Sequence, residues 1–167
     1  MPIKSILYVC TGNVFRSPFA ERITKKLLGN SSIKVESAGI LEYRGQPLPQ
    51  EIVEVARKYG VDLSRHKPRQ VNVSLVEAAD LILVFDKKQV AELEGMFPKT
   101  KAKILTIKNC AGFSDDRDME DLWEKPVEVF ERSIREIEVY VRRCVDRILQ
   151  QQDGKDSWAA EVRPQKR

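Results

Sequence analysis

Ser5-Ile6-Leu7-Tyr8-Val9-Cys10, followed by Thr11-Gly12-Asn13-Val14-Phe15-Arg16-Ser17-Pro18, is the stretch on which the reading of this chain turns. Its first six residues form a short run without turn signals and read as a buried strand. From Ser17 to Leu28, Phe19, Ala20, Ile23, Leu27 and Leu28 recur on one helical face, and Gly29 and Asn30 end the helix. The polar segment between them therefore lies at the carboxyl end of a strand and the N-terminus of a helix.

The same alternation continues outward. Ile33–Ser37 reads as a second strand, a Gly/Pro-rich stretch Gly45–Pro49 leads into a helix over Leu48–Tyr59, and Gly60 stops it. A polar loop, a short helix at Ser74–Ala79, a strand at Leu81–Phe85, a helix at Lys87–Gly95 and a strand at Lys103–Ile107 follow. The segment Ala111–Glu120 is acidic and irregular. Pro126 then opens a long helix whose stripe is Val127, Phe130, Ile134, Ile137, Val141, Cys144 or Val145, and Ile148. Four strands alternating with helices predict βαβ units, hence a single three-layer α/β domain with a four-stranded parallel sheet. Such sheets bind ligands at the carboxyl ends of their strands. Residues 1–150 are expected to form the domain, with 151–167 a polar tail expected to be disordered; Trp158 is its only large apolar residue.

Composition narrows the function classes. The chain has 167 residues, 29 Lys plus Arg against 25 Asp plus Glu, and a net charge of +4. At 42% apolar and 32% charged it can bury a core. The mild positive excess suits an anionic ligand and is too small to point to nucleic acid. No apolar run approaches the ~18 residues of a membrane span, and no signal peptide is evident, so a cytoplasmic setting with reduced thiols is expected. Cys10, Cys110 and Cys144 are widely spaced and His66 is the single histidine, so no metal site is expected.

The Cys10–Pro18 segment carries the chemistry. Backbone N–H groups at a strand-to-helix turn, added to the helix dipole, make an anion nest. Gly12 and Asn13 tolerate the left-handed backbone that a nest needs. Arg16 can close it with a bidentate grip on two phosphate oxygens. Cys10 would lie at its base, where the field favours thiolate over thiol, and a thiolate facing a phosphoryl group is an activated nucleophile. Each element alone has an ordinary reading: a buried cysteine, a surface arginine, a Ser-Pro helix start. Their order between a strand and a helix is what favours the nest.

The segment resembles the signature of the low-molecular-weight protein-tyrosine phosphatase family, Cys-x-Gly-Asn through Arg-Ser, matched by Cys10, Gly12, Asn13, Arg16 and Ser17. The resemblance extends from about Ile3 to Gln150 and includes Ser37-Ala38-Gly39, Gly60 through Gln70, and Ala79 through Asp86. It implies that Cys10 attacks phosphorus to form a phosphocysteine and that Arg16 binds phosphate and stabilises the transition state. Thr11, Gly12, Asn13, Val14 and Phe15 would complete the phosphate loop, with Ser17 donating to the thiolate. Ser37 and His66 would support the loop from outside.

A general acid is also implied. The family places it in an Asp-Pro-aromatic triplet nine residues before an aromatic of the last helix, and Asp121-Leu122-Trp123 with Phe130 fits that spacing without the proline. Asp121 is the expected acid, with Asp118 its rival beside Asp115 and Asp116. Where the family often carries a second cysteine, Phe15 stands here, so peroxide is expected to take Cys10 through sulfenic to sulfinic acid. Family members acting on phosphoarginine carry threonine at position 14. Val14 lacks the hydroxyl and favours an aryl phosphate, with Tyr43 and Trp123 either walls for its ring or ordinary loop aromatics.

The resemblance thus implies a cofactor-free phosphatase acting on phosphotyrosyl protein and releasing inorganic phosphate, monomeric or weakly dimeric, without nucleic-acid or membrane partners. Three alternatives stay open: a protein-arginine phosphatase, an arsenate reductase, which needs a relay of further cysteines, and a catalytically silent phosphate-binding module.

Overall fold

The computed structural model describes residues 2–44, 48–114, 117–120, 122 and 124–154. Its elements, in chain order, are β1 (Ser5–Cys10), α1 (Arg16–Leu28), β2 (Lys34–Gly39), α2 (Gln50–Lys58), α3 (Val73–Ala78), β3 (Leu81–Val84), α4 (Lys87–Met96), β4 (Lys103–Thr106), α5 (Ile107–Cys110) and α6 (Val127–Gln152). The four strands form one sheet in the order β2-β1-β3-β4, with every neighbouring pair parallel.

The pleat explains the layers. Ile6, Tyr8 and Cys10 of β1 project to one side of the sheet, where they meet Phe19, Ala20 and Ile23 of α1, Val55 and Ala56 of α2, and Ile134, Ile137 and Val141 of α6. Leu7 and Val9 project to the other, against Val76 of α3 and Leu93 of α4. β1 is covered on both faces, which is why its sequence runs apolar without alternating. Each fully buried Leu, Ile or Phe contributes roughly 1.5–3 kcal/mol of transfer free energy. Tyr8 carries a hydroxyl into the core, where it donates to Thr24 Oγ1 at 2.7 Å, and Thr24 in turn donates to the Ala20 carbonyl at 2.8 Å. Burial pushes the Tyr8 phenol well above its ordinary range.

Several boundaries differ from the sequence expectation, each for a local reason. α1 begins at Arg16, one residue early, because Ser17 is not its cap: Phe15 takes that position, with no side-chain hydrogen bond there and no acidic residue in the first turn. β2 runs to Gly39, whose N–H donates to the Arg69 carbonyl and whose carbonyl accepts from Val71 N–H. The helical turn α5 was not expected. Thr106 caps it by accepting from Asn109 N–H at 3.1 Å. Pro126 precedes α6 as its N-cap rather than occupying the first turn.

The last helix runs past residue 150, where the domain was expected to end. α6 continues through Gln152, and the Gln152 amide donates to the Ile3 carbonyl at 2.7 Å, tying the helix end to the start of the chain. Residues 155–167, Trp158 among them, lie outside the described residues. Among the described residues no helix is long and apolar enough to cross a membrane.

Candidate active site

Because β1 is central, its carboxyl end opens between β2 and β3, and the Cys10–Arg16 loop turns there into α1. Asn13 makes the turn possible. It is fully buried and adopts φ 54°, the left-handed region that asparagine tolerates better than most residues. Its side chain makes three hydrogen bonds. Nδ2 donates to Ser17 Oγ at 2.8 Å and to Ser37 Oγ at 3.0 Å, while Oδ1 accepts from Arg69 N–H at 3.1 Å. The Asn13 carbonyl accepts from His66 Nε2–H at 2.7 Å, which sets the tautomer of that ring. Burial holds His66 below the ordinary imidazole range, so it is a neutral donor here.

Gly39 closes the loop from behind. A Cβ on this residue would stand 2.8 Å from Asn13 N and from Gly12 C, and 3.0 Å from Thr11 O, all backbone atoms of the loop. The glycine that ends β2, expected as part of a turn after the second strand, is therefore a steric requirement of the loop lying across it.

Ser17 Oγ lies 2.9 Å from Cys10 Sγ and 3.4 Å from the Ala38 carbonyl. Asn13 already donates to Ser17, so the single Ser17 proton is shared between the Ala38 carbonyl and the sulfur, and it goes to the sulfur when Cys10 is a thiolate. Arg16 is almost wholly buried, with its guanidinium 5.5 Å above the Phe85 ring and Nη1 3.9 Å from Asp86 Oδ2. Nη1 has no hydrogen-bond partner among the described residues. A buried guanidinium with a spare donor, at the unblocked N-terminus of α1, makes the loop a receptor for an anion.

Above the loop is a cleft of about 590 Å³. Cys10, Thr11, Gly12, Val14, Phe15 and Arg16 form its floor; Leu41, Glu42, Tyr43, Pro49 and Ile52 border one side, and Leu122, Glu124 and Phe130 another. Phe15 stacks on Phe19 at 5.5 Å and meets Phe130 edge-on at 5.2 Å, so the aromatic in place of a second cysteine is part of the core beneath the cleft.

The structure thus brings together Cys10, Thr11, Gly12, Asn13, Val14, Phe15, Arg16, Ser17, Ser37, His66 and Tyr43 around one cleft or its support. Asp121, Trp123, Asp115 and Asp116 lie outside the described residues. Asp118, the rival acid, does not border the cleft. Its Oδ1 accepts from Lys87 N–H at 3.2 Å, and its side chain lines a separate cavity beside Ser133 and Tyr140. Leu122, in the family's proline position, is buried and borders the cleft, as does Glu124 beyond it.

Sequence reading missed several parts of this site, among them Leu41, Glu42, Pro49 and Ile52 on the cleft wall, Asp86 and Gln89 beside the loop, and Glu124. Asp86 and Gln89 carry a legible signal, an Asp-x-x-Gln box directly after a strand. Glu124 carries none. Cys110 has a neighbour that the sequence separation hides: Cys144 lies against it, and burial pushes the Cys144 thiol up while its hydrogen donates to the Ile107 carbonyl at 3.3 Å. Both are fully buried in the core beside Tyr8, and neither borders the cleft that holds Cys10. Among the described residues no cluster of His, Cys, Asp or Glu could hold a metal ion.

The family model for low-molecular-weight phosphotyrosine protein phosphatases matches residues 5–154. The chain is 36% identical over 146 residues to EpsP of Ralstonia nicotianae, described as a probable low-molecular-weight protein-tyrosine-phosphatase, covering 87% of this chain and 97% of that one. Its structure superposes on the tyrosine phosphatase AmsI of Erwinia amylovora with a TM-score of 0.76 at 28% identity, covering 87% of this chain and 93% of the other. It is also similar to the YwlE arginine phosphatase of Geobacillus stearothermophilus, with a TM-score of 0.80 at 25% identity and coverage of 92% and 97%. The family match spans the sheet, the loop and the long helix alike, and this chain belongs to the low-molecular-weight phosphotyrosine protein phosphatase family.

Proposed function

We propose that the protein hydrolyses phosphotyrosine in proteins through a phosphocysteine on Cys10. The observation that carries the reading is the Ser17 hydroxyl 2.9 Å from Cys10 Sγ, held there by Asn13 within a loop that ends on a buried arginine. The hydroxyl proton stabilises negative charge on sulfur before attack and again when sulfur leaves.

In the first step the Cys10 thiolate attacks phosphorus, the P–O bond to tyrosine breaks, and the phenolate leaves with a proton from a carboxylic acid. In the second, water attacks phosphorus, gives a proton to that carboxylate, and the P–S bond breaks to release inorganic phosphate and the thiolate. Arg16 and the N-terminus of α1 stabilise the equatorial oxygens in both steps. Asp121 is the acid in this reading. Its neighbours Leu122 and Glu124 border the cleft, and Asp118 is engaged elsewhere. Asn13, Ser37 and His66 hold the loop rather than move protons, consistent with a His66 kept neutral.

Val14 on the floor, with Leu41, Ile52 and Phe130 around it, offers an apolar surface suited to an aryl ring and no hydroxyl for a guanidinium. Tyr43 would stack on that ring, and Trp123 would form the opposite wall. The cleft needs no cofactor for this chemistry.

The test is steady-state hydrolysis of a phosphotyrosine peptide beside a phosphoarginine peptide in chelator, with Cys10→Ser as control. Turnover of phosphotyrosine, lost in Cys10→Ser while phosphate binding survives, is expected. Turnover mainly of phosphoarginine would keep the mechanism and overturn the specificity. Phosphate binding without turnover of either would make the protein a silent module.

A further inference from the structure

The junction of β3 with α4 carries two polar residues that capping alone does not account for. Asp86 is the N-cap of α4, its Oδ1 accepting from Gln89 N–H at 2.8 Å. Gln89 reaches back in turn, its Oε1 accepting from Phe85 N–H at 2.8 Å. This is a variant of the capping box in which the return bond goes to the residue before the cap. Because Oε1 is committed to a backbone N–H, the amide has one orientation, and its NH₂ group faces away from β3. That group donates to Thr11 Oγ1 at 3.3 Å, across 78 residues of chain. Gln89 is only 2% exposed, far deeper than a surface helix cap requires.

Thr11 is the residue after the nucleophile. Its carbonyl accepts from Leu41 N–H at 2.9 Å, and the Cys10 carbonyl accepts from Ile40 N–H at 2.9 Å. The first turn of the loop is therefore held by the two residues that follow β2 from one side and by Gln89 from the other. The same box holds the Asp86 carboxylate, whose second oxygen faces Arg16.

We propose that Gln89 is a positioning residue for the reaction: its amide clamps Thr11, so that the first peptide units of the loop keep the orientation that the bound phosphoryl group requires. Gln89 touches neither nucleophile nor phosphate and acts through Thr11. The proposal rests on the reading of Cys10 as nucleophile within a phosphate loop.

A double-substitution cycle tests it, with Gln89→Met, Thr11→Val and the pair together, and Thr11→Ser as the conservative control. Four quantities are read: kcat and KM on a phosphotyrosine peptide, inorganic phosphate affinity by calorimetry, and the unfolding midpoint. Each single substitution is expected to lower kcat/KM about fivefold to tenfold, the size of one hydrogen bond. The pair should lose little more than the worse single, and Thr11→Ser should retain most of the activity. Phosphate affinity should show the same coupling. If Gln89 only caps a helix, Gln89→Met lowers the unfolding midpoint and its effect on kcat/KM is unchanged when Thr11 is already valine; that additivity would overturn the proposal. If the wild type turns over no phosphotyrosine, the underlying reading fails, and coupling in phosphate affinity still decides whether the clamp exists.

Discussion

Replacing Asn13 by alanine and, separately, by glycine separates two contributions that the structure places on one residue. Both changes remove three side-chain hydrogen bonds, two given to Ser17 and Ser37 and one taken from Arg69 N–H. At a net ~1 kcal/mol each, this costs about 3 kcal/mol in either variant. Alanine also has to hold φ near 54°, at roughly 1–2 kcal/mol for a residue with a Cβ, whereas glycine does not. Asn13→Ala is therefore expected to lose about 4–5 kcal/mol and Asn13→Gly about 3, out of a total stability of roughly 5–15 kcal/mol. Urea unfolding of the three proteins measures the difference directly, and a matching gap of about 2–4 °C per kcal/mol should appear in the thermal midpoints. Hydrolysis of an aryl phosphate should fall on the order of 100-fold in both, since the loop loses its anchor to Ser17. Equal destabilisation by alanine and glycine would refute the claim that the turn demands a left-handed residue. A loss below about 1 kcal/mol in both would refute the network as what holds the loop.

Gly39→Ala should cost about 100-fold in kcat/KM, because its Cβ can be accommodated only by moving loop backbone; full activity would show that the loop has slack. Asp121→Asn should slow aryl phosphates with poor leaving groups far more than those with good ones, while Glu124→Gln should slow both alike or neither; the reverse pattern would make Glu124 the acid. His66 is held below its ordinary value of 6.5, so the unfolded chain binds the proton first as pH falls. Its contribution is present in full above that value and is lost as pH drops toward the folded value, a slope that His66→Gln should remove from the urea-unfolding profile. Prolonged peroxide should inactivate the enzyme beyond rescue by thiol, since Phe15 offers Cys10 no adjacent partner and Cys110 and Cys144 do not border its cleft; full rescue would point to another resolving thiol.

The strand–helix alternation, the parallel four-stranded sheet and the position of the anion loop were legible in the order of the amino acids. These rest on short-range patterns: the unbroken apolar run of Ile6–Val9, the helical stripes of α1 and α6, and Gly12-Asn13 between them. Such patterns are local, so they are legible without partners. Taken by itself Ser17 reads as an ordinary helix start, its bond to the thiolate being implied only by the family resemblance, and the local pattern does not reveal that its Oγ sits 2.8 Å from Asn13 Nδ2 and 2.9 Å from Cys10 Sγ. The reason for Gly39 was equally hidden, since the backbone that its missing Cβ would strike comes from residues 11–13. The same holds for Asp86 and Gln89, which read as a helix cap and become supports of the site only because β3 lies next to β1. Gly39 and Gln89 depend on neighbours far away in the chain, 78 residues in the case of Gln89 and Thr11, whereas Ser17 meets Cys10 and Asn13 seven and four residues away; no periodicity within one segment encodes either kind of contact.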